Sequence, residues 1–229
     1  MKEYQTDAIR NIAFIGHGGS GKTSISEYLL YFAGETNRIG RVEEGNTISD
    51  YTANEIEKQF SIVATPLNIE WNNAKVNFVD TPGYADLIGQ VISSLHVVDT
   101  AVAVVKSAEG IEVGTETNWE LVAKNKLSSA ILINKVDNEH SKYEETFEKC
   151  REKLTHDATL ITFPVKEGLN FNSVVDLTTM KMYTYDEAAT KKYTESEIPA
   201  DLTAKANDLR NELIEKIAIF TQKVKELDQ

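Results

Sequence analysis

At 229 residues the chain can form one well-buried domain, or one domain with a small appendage. Its 41% apolar share is ordinary for a soluble globular protein, and its net charge of −12 disfavours broad wrapping of a nucleic-acid backbone. The longest apolar run, AVAVV after Thr100, is far too short to cross a bilayer, so no membrane partner is expected. The N-terminal MKEYQTDAIRN mixes charges and lacks the apolar core of a secretory signal. The single Cys150 cannot form an internal disulfide, which fits a reducing cytoplasm.

Strand and helix patterns alternate from the start. NIAFI, residues 11–15, is a short apolar run that breaks at Gly16. From Thr23 onward Ile25, Leu29 and Phe32 recur at helical spacing until Gly34. Leu67, Ile69 and Trp71 alternate with polar residues, Asn72-Asn73 suits a turn, and Val76 and Phe78 alternate again, which predicts a hairpin. Next come a helix carrying Leu87, Val91 and Leu95, the buried strand AVAVV, a helix around Trp119, and the strand AILIN ending at Asn134. A further helix carries Tyr143, Phe147, Cys150 and Leu154, with the thiol on its apolar stripe.

Single apolar runs alternating with amphipathic helices predict an α/β fold, a mainly parallel sheet covered on both faces. Ligand phosphates on such sheets sit at the carboxyl ends of the strands. After about Thr155 the pattern weakens to short strand-like pieces (TLITF, SVVDL, MKMYTY), a polar loop and a long helix from about Ala200. Along that helix Leu202, Ala206, Leu209, Leu213, Phe220, Val224 and Leu227 keep mostly three- and four-residue steps, the stripe of a helix packed on its own small sheet or of a coiled coil.

Three motifs carry chemistry. GHGGSGKT, Gly16 to Thr23, matches the phosphate-loop pattern, with a strand before it and a helix after it. Its backbone from His17 through Gly18, Gly19, Ser20, Gly21 and on to Ser24 would turn N–H groups toward an oxyanion. Lys22 would reach the β- and γ-phosphates, and the Thr23 hydroxyl would bind Mg²⁺. His17 reads as a tolerated side chain of this loop rather than a catalyst. In DTPG, Asp80 ends an apolar strand as a ligand to a Mg²⁺-bound water should, and Gly83 can offer an N–H to a γ-phosphate. The same tetrapeptide is also a common turn. NKVD follows AILI: the Asp137 carboxylate can accept from guanine N1–H and the 2-amino group, a pair that adenine cannot offer. Asn134 would hold the loop and base edge while the Lys135 stem covers the ring, so the ligand expected is GTP or GDP with Mg²⁺. His96, His140 and His156 have no ligand-like spacing.

With these motifs in hand, the chain resembles the translational GTPases, and among them elongation factor G and its paralogues. IRNIAFIGHGGSGKT is similar to that family's opening strand and phosphate loop, and GRVEEGNTISDY to the lead into its first switch. The resemblance implies that Ser61 stands where the family has its Mg²⁺-binding switch threonine, although the neighbouring Arg-Gly is Lys58-Gln59 here. FPVKEGLNFNSVVDLTTMKMYTY resembles the start of the subdomain that elongation factor G inserts in its GTPase domain. The implied organisation is a P-loop GTPase domain over 1–157 and part of a small α+β insert over 158–229. The implied activity is GTP hydrolysis, coupled to a conformational step on the ribosome.

Two departures accompany the resemblance. The residue after DTPG is histidine in the family, where it orients the attacking water; here it is Tyr84. A phenol with a pKa near 10 is a poor proton acceptor at neutral pH. The alternative expectation is therefore a GTP-gated ribosome-binding module that hydrolyses little. Secondly, the family's fifth guanine-contacting loop, a Ser-Ala type turn after the insert, is absent. Ser107-Ala108 precedes NKVD and cannot serve, so the chain is expected to stop inside the insert.

Overall fold

The computed structural model describes residues 3–185 and 192–227, without side chains at 220 and 222–227. The chain divides at Lys135 and Val136 into two compact units, earlier than the boundary after residue 157 drawn from the sequence.

The first unit holds a five-stranded sheet in the order β2-β3-β1-β4-β5. Its strands are β1 (Ile9–Ile15), β2 (Thr65–Trp71), β3 (Ala74–Asp80), β4 (Thr100–Lys106) and β5 (Ser128–Asn134). β1 pairs in parallel with β3 and β4, and β4 with β5, while β2 joins β3 as an antiparallel hairpin. Asn72 and Asn73 make that hairpin's two-residue turn, both with left-handed φ (46° and 61°), a conformation that asparagine tolerates better than most residues.

The period-2 alternation of β1 and β4 divides their side chains between two cores. Ala13, Ile15, Ala101 and Ala103 face Val91 and Leu95 of α3 (Ile88–Leu95) and Val122 of α4 (Val113–Lys124). Ile12, Phe14, Val102 and Val104 face the other way, onto Ile25, Leu29 and Leu30 of α1 (Lys22–Ala33). Both faces are covered, which is the physical condition for a mostly parallel sheet. α1 ends where Gly34 takes φ +86° and donates its N–H to the helix's last carbonyls. A short α2 (Ala53–Lys58) lies in the segment between α1 and β2.

The second unit pairs α5 (Tyr143–Lys153) and α6 (Ala200–Leu227) with a four-stranded antiparallel sheet, β6 to β9 in order. β6 (Thr162–Pro164), β7 (Ser173–Asp176) and β8 (Lys181–Tyr185) fall on the three strand-like pieces read from the sequence. β9 (Tyr193–Ser196) corrects the polar loop expected there: it is a short edge strand, mostly exposed, with no apolar alternation to announce it. On α6, Ala206 and Leu213 are buried and Leu202 and Leu209 half-buried, so these four residues form the packed side. Arg210 donates to the Leu177 and Thr178 carbonyls, which docks the helix on its own unit. Phe220, Val224 and Leu227 of the expected stripe lie outside the described side chains. Cys150 is fully buried on α5. No helix among the described residues is long and apolar enough to cross a membrane.

Candidate functional site

Because β1, β3, β4 and β5 run in parallel, the segments that follow them leave the sheet at one edge. Gly16 to Gly21 leave β1, Thr81 to Tyr84 leave β3, Ser107 leaves β4, and Lys135 leaves β5. Hydrogen bonds knit these loops together. The Thr81 hydroxyl donates to the Phe14 carbonyl at 2.6 Å, and Asn134 Nδ2 donates to the Ser20 carbonyl at 2.8 Å. Ser107 donates its N–H to the Asn134 carbonyl and its hydroxyl to that of Lys135.

Glycines are required where the loops touch. Gly16 has φ +136°, and a Cβ there would run into the Val104 carbonyl. A Cβ on Gly83 would stand 2.6 Å from both the Gly18 nitrogen and Lys22 Nζ, so only glycine lets the DTPG turn lie against the phosphate loop.

Lys22 opens α1 and is almost wholly buried, with Nζ donating to the Gly16 and His17 carbonyls at 3.0 Å each. Burial pulls its pKa down to about 8, against the opposing pull of Asp80, Asp50 and Glu112. Asp80 is equally buried and neither of its oxygens has a hydrogen-bond partner. Burial pushes its carboxyl up to about 7, opposed by the nearby Thr23 hydroxyl and the Lys22 ammonium. The Thr23 and Ser61 hydroxyls lie 3.0 Å apart.

His17 is part-exposed, with Nε2 3.5 Å from Glu112. Gly18, Gly19, Gly21, Ser24 and Lys135 line the same cleft as Lys22, Thr23, Ser61 and Gly83. Lys135 has φ +57° and an exposed side chain. Asp137, also exposed, belongs to the second unit, so NKVD spans the division of the chain.

Tyr84 is half exposed at the mouth of the cleft, on the residue before a 3₁₀ turn (Ala85–Leu87). Its ring lies over Gly18, where a Cβ would come within 3.2 Å of Cζ, and packs against the ring of Phe60.

Among the cleft residues not legible as such in the sequence, Phe60 and Asp50 bear most on the site. Phe60 precedes Ser61 and lines the cleft. Asp50 is buried with both oxygens unpartnered, and burial, with the charges of Glu55 and Glu27 beside it, raises its pKa against the Ser61 hydroxyl and Lys22. Asp50 stands in a polar stretch without periodicity, and only the hydroxyl-bearing segment after it hints that it turns inward.

The donor set of Thr23, Ser61 and Asp80 is made of hard oxygens, with the Asp80 acceptors buried and unsatisfied, and it fits a small divalent cation such as Mg²⁺. The cradle of backbone beside Lys22, at the amino end of α1, suits phosphate oxygens.

Residues 7–223 match the family model described as the elongation factor Tu GTP binding domain. Elongation factor G of Chlamydia trachomatis serovar D is 36% identical over 95% of the chain, and that of Ureaplasma urealyticum serovar 10 is 34% identical over 95%. The chain spans only 31% and 32% of those relatives' lengths. A crystal structure from Thermus thermophilus superposes with a TM-score of 0.85 at 31% identity, covering 91% of this chain and 31% of that one. The chain belongs to the family of the elongation factor Tu GTP-binding domain, and within that family it is an elongation factor G-like translational GTPase domain.

Proposed function

We propose that the chain binds GTP and GDP with Mg²⁺ and hydrolyses GTP, as the nucleotide domain of an elongation factor G-like translation factor acting with the ribosome in the cytoplasm. The observation that carries this reading is the contact of the Gly83 turn with Gly18 and Lys22, which gathers the N–H donors, the buried ammonium and the unsatisfied Asp80 carboxylate at one place. The backbone of Gly18 to Ser24 would cradle the β-phosphate. Lys22 would exchange its two carbonyl acceptors for phosphate oxygens, and the Gly83 N–H would donate to the γ-phosphate. Thr23, Ser61 and Asp80 would hold Mg²⁺, which when bound neutralises charge on the β- and γ-oxygens. Asp137 would accept from both guanine donors, with the Asn134 amide fixing the loop to Ser20.

A second reading, nucleotide gating with little hydrolysis, is favoured by the position of Tyr84. Its ring covers Gly18 and leans on Phe60, and it offers a hydroxyl where an imidazole is expected. The 158–229 stretch is read as part of the inserted subdomain of elongation factor G.

Titration of fluorescent GDP and GTP analogues in Mg²⁺, with ATP as competitor, tests the assignment. Guanine nucleotide should win, and Asp137→Asn should move preference toward xanthine nucleotides. Equal affinity for ATP and GTP would refute it.

A further inference from the structure

Glu55 lies in α2, fully buried, and both its oxygens are engaged. Oε2 accepts from the N–H and the hydroxyl of Thr52, at 3.1 and 2.7 Å, closing a capping box at the start of the helix. Oε1 reaches forward instead, accepting from the N–H groups of Ile62 at 2.9 Å and Val63 at 3.1 Å. Burial acts to raise the pKa of this carboxyl, but the hydrogen bonds outweigh it and hold the group below the usual carboxylate range.

A capping box needs only the Thr52 side of this arrangement. The other oxygen bridges a chain reversal: Gln59 closes α2 with φ +56°, Phe60 and Ser61 follow, and the next two N–H groups end on the carboxylate. Ser61 is thus fixed from both directions. Before it, Phe60 rests against Tyr84; after it, Ile62 and Val63 are tied to Glu55. The Ser61 hydroxyl is thereby presented to that of Thr23.

We infer that Glu55 is a positioning residue for Ser61: its grip on the Ile62 and Val63 N–H groups sets the Ser61 hydroxyl opposite Thr23 and pre-forms that side of the divalent-cation site. This rests on the reading of Thr23, Ser61 and Asp80 as that site. Groups behind a metal ligand typically govern affinity by about 10–100-fold, because a ligand free to wander is ordered only at the cation's expense.

The test compares Glu55→Gln, Glu55→Asp, Ser61→Ala and the Glu55→Gln/Ser61→Ala double variant with the parent chain. The probe is a fluorescent non-hydrolysable GTP analogue, titrated with Mg²⁺ and with EDTA. Glutamine keeps the size but turns an amide N–H₂ toward donors. Aspartate keeps the charge but, one methylene shorter, cannot reach Thr52 and Ile62 together. Both should lose about tenfold of the tightening that Mg²⁺ gives the parent, while matching it in EDTA. The double variant should be no weaker than Ser61→Ala alone. Without nucleotide, the Ile62 and Val63 amides should exchange hydrogen about tenfold faster in Glu55→Gln, with β1 and β4 unchanged, a response that general destabilisation would not confine to two residues. Parent-like tightening in both Glu55 variants, additive losses in the double variant, or unaltered exchange would overturn the inference. A parent chain whose nucleotide affinity ignores Mg²⁺ would overturn the site reading itself, which separates the two failures.

Discussion

The rings of Tyr84 and Phe60 lie with centroids 4.7 Å apart and planes inclined at 59°, so the segment after β3 and the segment after α2 meet over the phosphate loop through an aromatic pair. Phosphate binding, as proposed, uses backbone N–H groups, Lys22 and the cation ligands, none of which depends on the phenol. Binding and hydrolysis should therefore separate. Tyr84→Phe is expected to bind GTP like the parent and to hydrolyse it at a rate within about threefold of the parent's, well under the loss of ~10² or more for a working acid–base group. Tyr84→His should speed turnover only in the presence of ribosomes. Single-turnover hydrolysis with and without ribosomes reads both, and a collapse in the phenylalanine variant would make the hydroxyl catalytic.

Lys22 gives a complementary expectation. Its ammonium is buried and held by two carbonyls, ready to be redirected to phosphate. Lys22→Met keeps the stem and removes the charge, and should weaken GDP binding by about 2–5 kcal/mol, or roughly 30-fold to a few thousandfold. The circular dichroism spectrum should not change. Calorimetric titration checks this.

Two glycines should respond in opposite directions to alanine. Gly16 has positive φ and a carbonyl where a Cβ would go, so Gly16→Ala should destabilise the fold by about 1–3 kcal/mol. Gly89, in α3, has nothing within 4 Å of a Cβ and no positive φ, so Gly89→Ala should stabilise by about 0.4–1 kcal/mol. Urea unfolding followed by circular dichroism measures both.

Burial pushes the Cys150 thiol up to about 12. At pH 8 the folded chain should react with a thiol reagent about 10³-fold more slowly than the urea-unfolded chain, whose thiol titrates near the ordinary cysteine value of about 8.5. The stability sign follows from the same shift. The folded thiol keeps its proton where the unfolded one has lost it, so this contribution is intact below about pH 8.5 and is lost as pH rises from there toward 12. Cys150→Ala should remove that part of the alkaline decline, as read by unfolding midpoints across the range.

How much of this was legible in the sequence follows from what each residue answers to. The central sheet was legible because Ile12 to Ile15 and Ala101 to Val104 alternate between two cores, a constraint that writes itself into consecutive positions. Gly16 and Gly83 were legible because the close approach of neighbouring backbone admits no other residue there. Asp50, Glu55 and Phe60 were not legible as site residues, since their roles come from where a polar, aperiodic segment folds back, and a carboxylate satisfied by backbone N–H groups looks in sequence like any solvated one. β9 was missed for a related reason: Tyr193 to Ser196 pair through their backbone at an exposed edge, leaving no apolar mark.

The hydrogen bond from Asn134 to the Ser20 carbonyl makes the end of β5 and the phosphate loop a single mechanical piece, with Gly21 kept bare because the amide fills the space of its Cβ. A nucleotide spanning both would meet two half-sites already at fixed spacing, so docking either end raises the local concentration of the other. Guanosine and pyrophosphate offered as separate molecules should then bind far more weakly than GDP, by much more than any difference in their contacts. Loosening the tether with Asn134→Ala should shrink that gain, turning one chelating site back toward two independent weak ones.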